Sequence, residues 1–352
     1  MIKIKSFKNK NFILGITSII VLSITFIIAK NKFYSNYDQL PTEDKEILWE
    51  YNKLYNEISK NNLWENFNLA DKTIVMISDD TTNSYIINPK DFNVNLFTKK
   101  ITMPNEFNLK SVYRISPVYP KLIKMRFSGN FNTIGKIYNM FNNDIYFIKY
   151  NKSDSLEKKY SNSHFATFLS HEAFHYYMQN DWKIISPPIT GLSDDDKKLL
   201  KEEYNILNNI QEELLSKTNN KDTLLKYAKH YVDIVSKRID KNNDYLMSEL
   251  SKETAEGTAQ YVGIKAAQIV NYDYGVMYFD NIKNVPFSDI FVQLEKGTIH
   301  TDYLYKRIPY ESGALLCFLF DELGIPNWQQ KLNAQTEENP VTLYDILNEY
   351  LN

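Results

Sequence analysis

Apolar and polar positions fall into three regimes along the chain. From Phe12 to Ala29 there is no charged residue. An apolar run of about that length is just enough to cross a bilayer as a helix. Its polar members, Thr17, Ser18, Ser23 and Thr25, are small and can bond back to their own helix. In the second regime, Pro41 to about Asn66 reads helical, because Ile47, Leu48, Tyr51, Leu54 and Ile58 recur at three- and four-residue spacing. Thr42 is its expected N-cap, with Lys45 where a capping box prefers Glu. Two β-branched runs, Thr73–Ser78 and Ser84–Asn88, flank the turn-like Asp79–Asn83 and predict a hairpin. Short extended segments continue to Ile115, and Asp144–Tyr150 alternates as a strand does.

After Ser161 the period becomes helical. Helices are expected over His164–Asn180, Asp194–Lys217, Asp222–Arg238, Asp244–Val270, Ile308–Leu323 and Thr342–Leu351. A β-rich part followed by a mostly helical part is an α+β arrangement. Three segments result: residues 1–33, a cytoplasmic stub and membrane-spanning helix; 34–160, an N-terminal helix and β-rich lobe; and 161–352, a helical lobe.

Charge orients the first segment. Lys3, Lys5, Lys8 and Lys10 precede the apolar run, whereas Lys30 and Lys32 follow it, so the amino end should stay inside and the remainder be exported. The residues around Ala29 (Ile27, Ile28, Lys30 and Asn31) offer no small-x-small cleavage site, which favours an uncleaved signal anchor over a signal peptide. The expected location is therefore the cell membrane, single-pass with the bulk outside, or secretion if the segment is cleaved.

Composition narrows the rest. Of 352 residues, 43% are hydrophobic and 24% charged, which excludes a wholly disordered chain. Lys+Arg is 41 and Asp+Glu 43, so no basic excess points to nucleic acid. With only ten glycines a turn-rich all-β fold is disfavoured. The single cysteine, Cys317, excludes an intrachain disulfide and any Cys-rich zinc or iron–sulfur site; in its apolar helix it reads as a small core residue.

The chemistry lies at residues 171–175, His-Glu-Ala-Phe-His. On a helix, positions i and i+4 share a face, so His171 and His175 can offer two imidazoles to one metal ion. Glu172 beside them can take a proton from a metal-bound water. Two neutral nitrogens, a carboxylate and an open fourth position suit Zn²⁺, one ion per chain. The competing reading is a core helix whose histidines and glutamate are satisfied by hydrogen bonds. It requires three ionisable groups within one and a half turns of an apolar helix, a costly arrangement without a shared partner. For the third ligand, Glu256 in Ala255-Glu256-Gly257-Thr258-Ala259 is the first candidate, since a following Gly permits close helix approach. Glu249 and Glu253 lie on roughly the same face and compete, each with a solvated charged face as the alternative.

These motifs resemble the gluzincin zinc metallopeptidases: thermolysin in general plan, and the aminopeptidase N family locally. That resemblance implies a zincin-like, thermolysin-like catalytic domain with Glu256 as the third zinc ligand. It also implies that Tyr310, in Pro309-Tyr310-Glu311-Ser312-Gly313, stabilises the transition state. The implied activity is hydrolysis of a peptide or protein substrate, with Glu172 moving the proton of the attacking water. His300 is a weaker candidate for Tyr310's work, and Asp321 reads as a surface charge. By the same resemblance, strand Asp144–Tyr150 is placed like an edge strand that binds substrate backbone by strand addition.

The chain also departs from that family. The stretch between His175 and Glu256 is much longer, Ser312 stands where a Lys is usual, and no Gly-Ala-Met-Glu-Asn segment precedes His171. Aminopeptidase specificity is therefore not implied. Two alternatives remain: a catalytically inactive, membrane-anchored surface binding protein on the same fold, and a structural zinc site. Retention of Glu172 argues against the first. The absence of a fourth Cys or His at short spacing argues against the second.

Overall fold

Helix α1 (Ser6–Phe33) carries the apolar run, and its Phe12–Phe33 stretch is long and apolar enough to cross a membrane, with a mean hydropathy of 2.6. The hydroxyls of Thr17 and Thr25 donate to the carbonyls of Ile13 and Val21, both at 2.9 Å, so these polar groups are satisfied within the helix. The computed structural model describes residues 6–60, 62–183, 185, 191–279 and 281–352. It is a mixed α/β chain, 56% helix and 10% strand. The chain divides into two units, Met1–Asn56 with Ala70–Leu156, and Glu57–Leu69 with Glu157–Asn352. The short segment Glu57–Leu69, which sequence order groups with the β-rich lobe, thus belongs with the helices.

The first unit is built on a five-stranded sheet. Its strands are β1 (Ile74–Ser78), β2 (Ser84–Ile87), β3 (Thr98–Lys100), β4 (Val112–Ile115) and β7 (Tyr146–Tyr150), in the order β3-β4-β2-β1-β7. β5 (Asn139–Met140) and β6 (Asn143–Asp144) form a separate two-stranded ribbon. β1 and β2 are the expected hairpin, with Ile74 opposite Ile87 and Ile77 opposite Ser84. β7 runs parallel to β1. Val75, Ile77, Ile86, Phe147 and Leu122 of α3 (Pro120–Arg126) share one core.

Helix α2 (Thr42–Ile58) starts one residue earlier than the expected cap requires. Thr42 is already helical, and the Pro41 carbonyl accepts the Lys45 N–H at 3.0 Å. Asp44 in its first turn is buried and accepts from the hydroxyls of Tyr85, at 2.6 Å, and Tyr150, and from the Asn83 amide.

β7 lies at a sheet edge, but that edge is already covered, which corrects the expectation of strand addition there. The Lys149 N–H donates to the Asn130 carbonyl at 2.8 Å, and the Phe147 N–H to Asn132 Oδ1 at 2.8 Å. Asn132 Nδ2 in turn donates to the Ile145 carbonyl. The alternation ends at Ile145 because residues 143–144 pair in the separate ribbon.

The second unit holds α4 (Phe165–Met178), α5 (Asp194–Leu215), α6 (Lys221–Lys241), α7 (Asn243–Ile269), α8 (Asp289–Glu295), α9 (Asp302–Lys306), α10 (Ile308–Leu323), α11 (Trp328–Asn333) and α12 (Leu343–Leu351). α7 is its central element: it meets α4 on one side and α10 on another, and it is buried along most of its length. α5 and α6 fill the long stretch between α4 and α7.

Candidate metal centre

Three helices, α4, α7 and α10, converge on the site. α4 is apolar because most of its circumference is covered. Phe174 meets Trp64, Phe67 and Trp182 edge-on, with ring centroids 5.0, 5.5 and 6.3 Å away. These aromatic contacts fix the helix rotation. His171 and His175 then lie on a neighbouring face, directed at α7.

Glycine brings the helices close enough. A Cβ on Gly263 of α7 would stand 3.1 Å from the Thr167 carbonyl oxygen and 3.5 Å from His171 Cβ. At the α7–α10 crossing two glycines face each other. A Cβ on Gly257 would lie 2.6 Å from the Gly313 carbonyl carbon, and one on Gly313 would lie 2.7 Å from Gly257 Cα. Only residues without a side chain permit that approach. It sets Glu256 against the histidines and Tyr310 beside Glu256.

The resulting geometry is compact. His175 Nε2 is 3.1 Å from His171 Nε2 and 3.1 Å from Glu256 Oε2, and His171 Nε2 is 3.7 Å from Glu256 Oε2. Metal bonds of about 2.0–2.1 Å at tetrahedral angles separate ligand atoms by roughly 3.3–3.4 Å. The three side chains thus stand near three corners of such a polyhedron. Among the described residues they are the group of three or more His, Cys, Asp and Glu able to hold an ion.

The histidine tautomer follows from the hydrogen bonds. Gln179, one turn beyond His175, donates from Nε2 to the Ala255 carbonyl at 2.8 Å and to Thr258 Oγ1 at 2.9 Å. A carbonyl can only accept, so the Gln179 amide nitrogen faces α7 and its oxygen faces His175. That oxygen is 2.6 Å from His175 Nδ1, which therefore carries the proton. The Nε2 lone pair is left pointing at the Glu256 carboxylate. Two lone-pair atoms at 3.1 Å repel each other unless a cation lies between them.

The surrounding charges act in the same direction. Protonation of the histidines would relieve the same repulsion: burial alone raises the Glu256 carboxyl, but in that protonated state the hydrogen bonds and charges of His171 and His175 outweigh it and hold the group well below the usual carboxylate range. Burial lowers His175, yet Glu256, the Glu172 charge and Gln179 together raise it. An added positive charge is thus favoured at this point, whether proton or metal. Tyr310 is pushed well above the ordinary phenol value by burial, by the Glu256 charge and by a hydrogen bond to that carboxylate. It stays a donor. Its ring is parallel to that of His171, 1° between planes and 5.9 Å between centroids.

Glu172 is half-buried beside His171, and its charge is felt by both His175 and Tyr310. Glu253 and Glu249 are elsewhere and are not a solvated face. Glu253 is buried under α6, where the Tyr231 hydroxyl donates to it at 3.1 Å. Glu249 is held by both terminal nitrogens of Arg238, at 2.8 and 3.0 Å, and Arg238 also meets Glu203 at 2.5 Å. His300 is exposed near the start of α9. Cys317 is buried in α10, and Asp321 accepts the Tyr261 hydroxyl.

Two groups escaped sequence reasoning. Gln179 was discernible only as a polar residue at i+4 from His175. The other is the pair of half-buried Arg307 and buried Glu311, 2.6 Å apart, with Glu311 also accepting from the Met277 N–H and from Gln260. This pair secures the first turn of α10, where Tyr310 sits. No family model, curated protein or solved structure matches the chain.

Proposed function

We propose that the chain is a zinc-dependent, gluzincin-like metallopeptidase on a zincin-like, thermolysin-like fold. In this reading it is anchored by α1 with the catalytic unit outside the cytoplasmic membrane. The observation that carries the proposal is the convergence of His171 Nε2, His175 Nε2 and Glu256 Oε2, with a carboxylate (Glu172) and a phenol donor (Tyr310) beside them. A structural site would be closed by a fourth side chain; here three protein ligands leave a position for water. The bound ion would supply Lewis acidity at that position.

The chain's own residues do the rest. Glu172 accepts the proton of the attacking water and passes it to the leaving amine. Tyr310 donates to the oxyanion that develops on the scissile carbonyl. Gln179 keeps the His175 lone pair on the metal side.

The decisive comparison is Glu172→Gln. Full-length protein should bind about one zinc per chain and cleave members of a broad peptide library. Glu172→Gln should keep the zinc and lose nearly all cleavage, whereas His175→Ala should lose the zinc. Equal cleavage by Glu172→Gln would refute the mechanism. A wild type that holds zinc and cleaves nothing would favour a surface binding protein instead.

A further inference from the structure

The anchor helix does not end in a free linker. Ile27 and Ile28, in the last turn of the apolar run, are half-covered by protein, and Asn31 is buried. β3 lies against α1. Lys32 Nζ donates to the carbonyls of Asn95 and Thr98, at 2.6 and 2.5 Å. The backbone beyond continues into the unit: the Thr102 N–H donates to the Ser35 carbonyl at 2.9 Å, and the Tyr37 N–H to the Thr102 carbonyl at 3.0 Å. The loop before β3 is thereby tied to a residue three positions past Ala29. At 1.5 Å of rise per residue that is about 4.5 Å beyond the apolar run. The headgroup layer is roughly 5–7 Å thick on each side of the hydrocarbon.

The side chains at this level are unusually apolar for a surface. Phe33 is 78% exposed, Val94 53% and Leu96 60%. Lys99 and Lys100 follow in the adjoining strand, and Lys30 is exposed on the helix. Apolar tips flanked by lysines suit a phospholipid interface, where the tips enter the acyl boundary and the ammonium groups meet phosphate.

We infer that the loop Asn93–Phe97 is a second membrane contact, which inserts Val94 and Leu96 into the leaflet from which α1 emerges. The inference rests on α1 being a membrane anchor, and goes beyond it. It makes the first unit a body seated on the bilayer rather than a tethered one.

The test uses the full chain in vesicles of phosphatidylcholine and phosphatidylglycerol. Cys317 is buried and does not compete for a thiol label. An environment-sensitive fluorophore is attached at Leu96→Cys, or at Asn130→Cys as control. Asn130 is exposed beside β7, at the opposite edge of the five-stranded sheet from β3, about 19 Å across the strands. At position 96, emission should shift to the blue and nitroxide-labelled lipid should quench it about twofold or more, while position 130 is unaffected. If the chain floats with the vesicles but position 96 is not quenched, the anchor stands and the loop contact is wrong. Equal quenching at both positions also overturns a specific loop contact. If the chain does not float with vesicles, the anchor reading fails and takes this inference with it.

Discussion

Gln179 Oε1 sits 2.6 Å from His175 Nδ1, and the amide nitrogen of the same side chain is committed to the Ala255 carbonyl on the facing helix. One residue thus couples the tautomer of a candidate ligand to the helix that carries Glu256. Gln179→Met keeps the volume and removes the hydrogen bonds to His175, the Ala255 carbonyl and Thr258. His175 can then turn or change tautomer, and zinc affinity is expected to fall about 10–100-fold. Competition against a chromophoric chelator reads the change, and an unaltered far-UV spectrum shows that the fold is kept. Unchanged affinity would remove Gln179 from any positioning role.

Glu253 makes a prediction about pH. Burial, reinforced by the charges of Glu203 and Glu249, pushes its carboxyl up to about 8 against opposing hydrogen bonds from Ser312 and Tyr231. Glu203 is likewise pushed up to about 7, by burial first, against the Arg238 charge. A carboxyl with a folded value above its unfolded one favours the folded state fully below about 4.5, and that contribution is lost as pH rises through the folded value. The protein should therefore lose stability between pH 5 and 8.5. Glu253→Gln is neutral at every pH and nearly isosteric with the protonated acid. Its stability should match wild type near pH 5 and exceed it above pH 8, by at most about 5 kcal/mol, with a correspondingly higher melting temperature. A gap that does not grow with pH would show that Glu253 ionises freely in the folded protein. Zinc content should be unchanged in this variant, whereas Glu256→Gln should lose it.

The helices and the metal-capable residues were legible because each depends on short-range pattern. Apolar periodicity gives α4 through α7 within a few residues at either end, and helical spacing alone pairs His171 with His175. The choice among Glu249, Glu253 and Glu256 was not legible from one face of one helix. It depends on what covers each turn of α7: Arg238 takes Glu249, Tyr231 takes Glu253, and the histidines take Glu256. Helical periodicity also misses long-range satisfaction of backbone groups. The covered edge of β7 depends on Asn130 and Asn132, in an irregular segment with no pattern of its own. Gly257 signals a close approach, but its partner Gly313 lies too far along the chain for spacing to reveal.

That crossing gives a ranking of three glycine substitutions. A Cβ on Gly313 would meet Gly257 Cα at 2.7 Å and the Glu253 carbonyl carbon at 3.1 Å, with the Glu253 oxygen closer still. All are backbone atoms, so the helices must separate. Gly313→Ala and Gly257→Ala should each cost about 1–3 kcal/mol or more by overpacking. Gly263→Ala meets the Thr167 oxygen at 3.1 Å and the Thr167 methyl at 3.3 Å. A small adjustment relieves it, and the helix gains up to about 1 kcal/mol in propensity. Thermal unfolding should rank Gly263→Ala closest to wild type. Equal losses at all three sites would mean that the α7–α10 crossing is not the tight point.

Tyr310 ties the architecture to the proposed chemistry. Its hydroxyl remains protonated and is hydrogen-bonded to Glu256, one of the three side chains that would hold the ion. Its ring lies parallel to His171, with Arg307 Cζ 5.3 Å from the ring centroid and the Arg307–Glu311 pair securing the helix turn. Tyr310→Phe keeps the ring, the stacking and all three metal-capable side chains, and deletes one donor. If that donor acts on the developing oxyanion, kcat should fall on the order of 10²–10³ while zinc content and KM change little. The loss should be smaller than in Glu172→Gln, because Glu172 is the proposed carrier of the water's proton whereas Tyr310 supplies one hydrogen bond. A Tyr310→Phe enzyme with wild-type kcat would leave the hydroxyl a mere partner of Glu256. A variant that loses zinc instead would show that its hydrogen bond orients the ligand rather than the transition state.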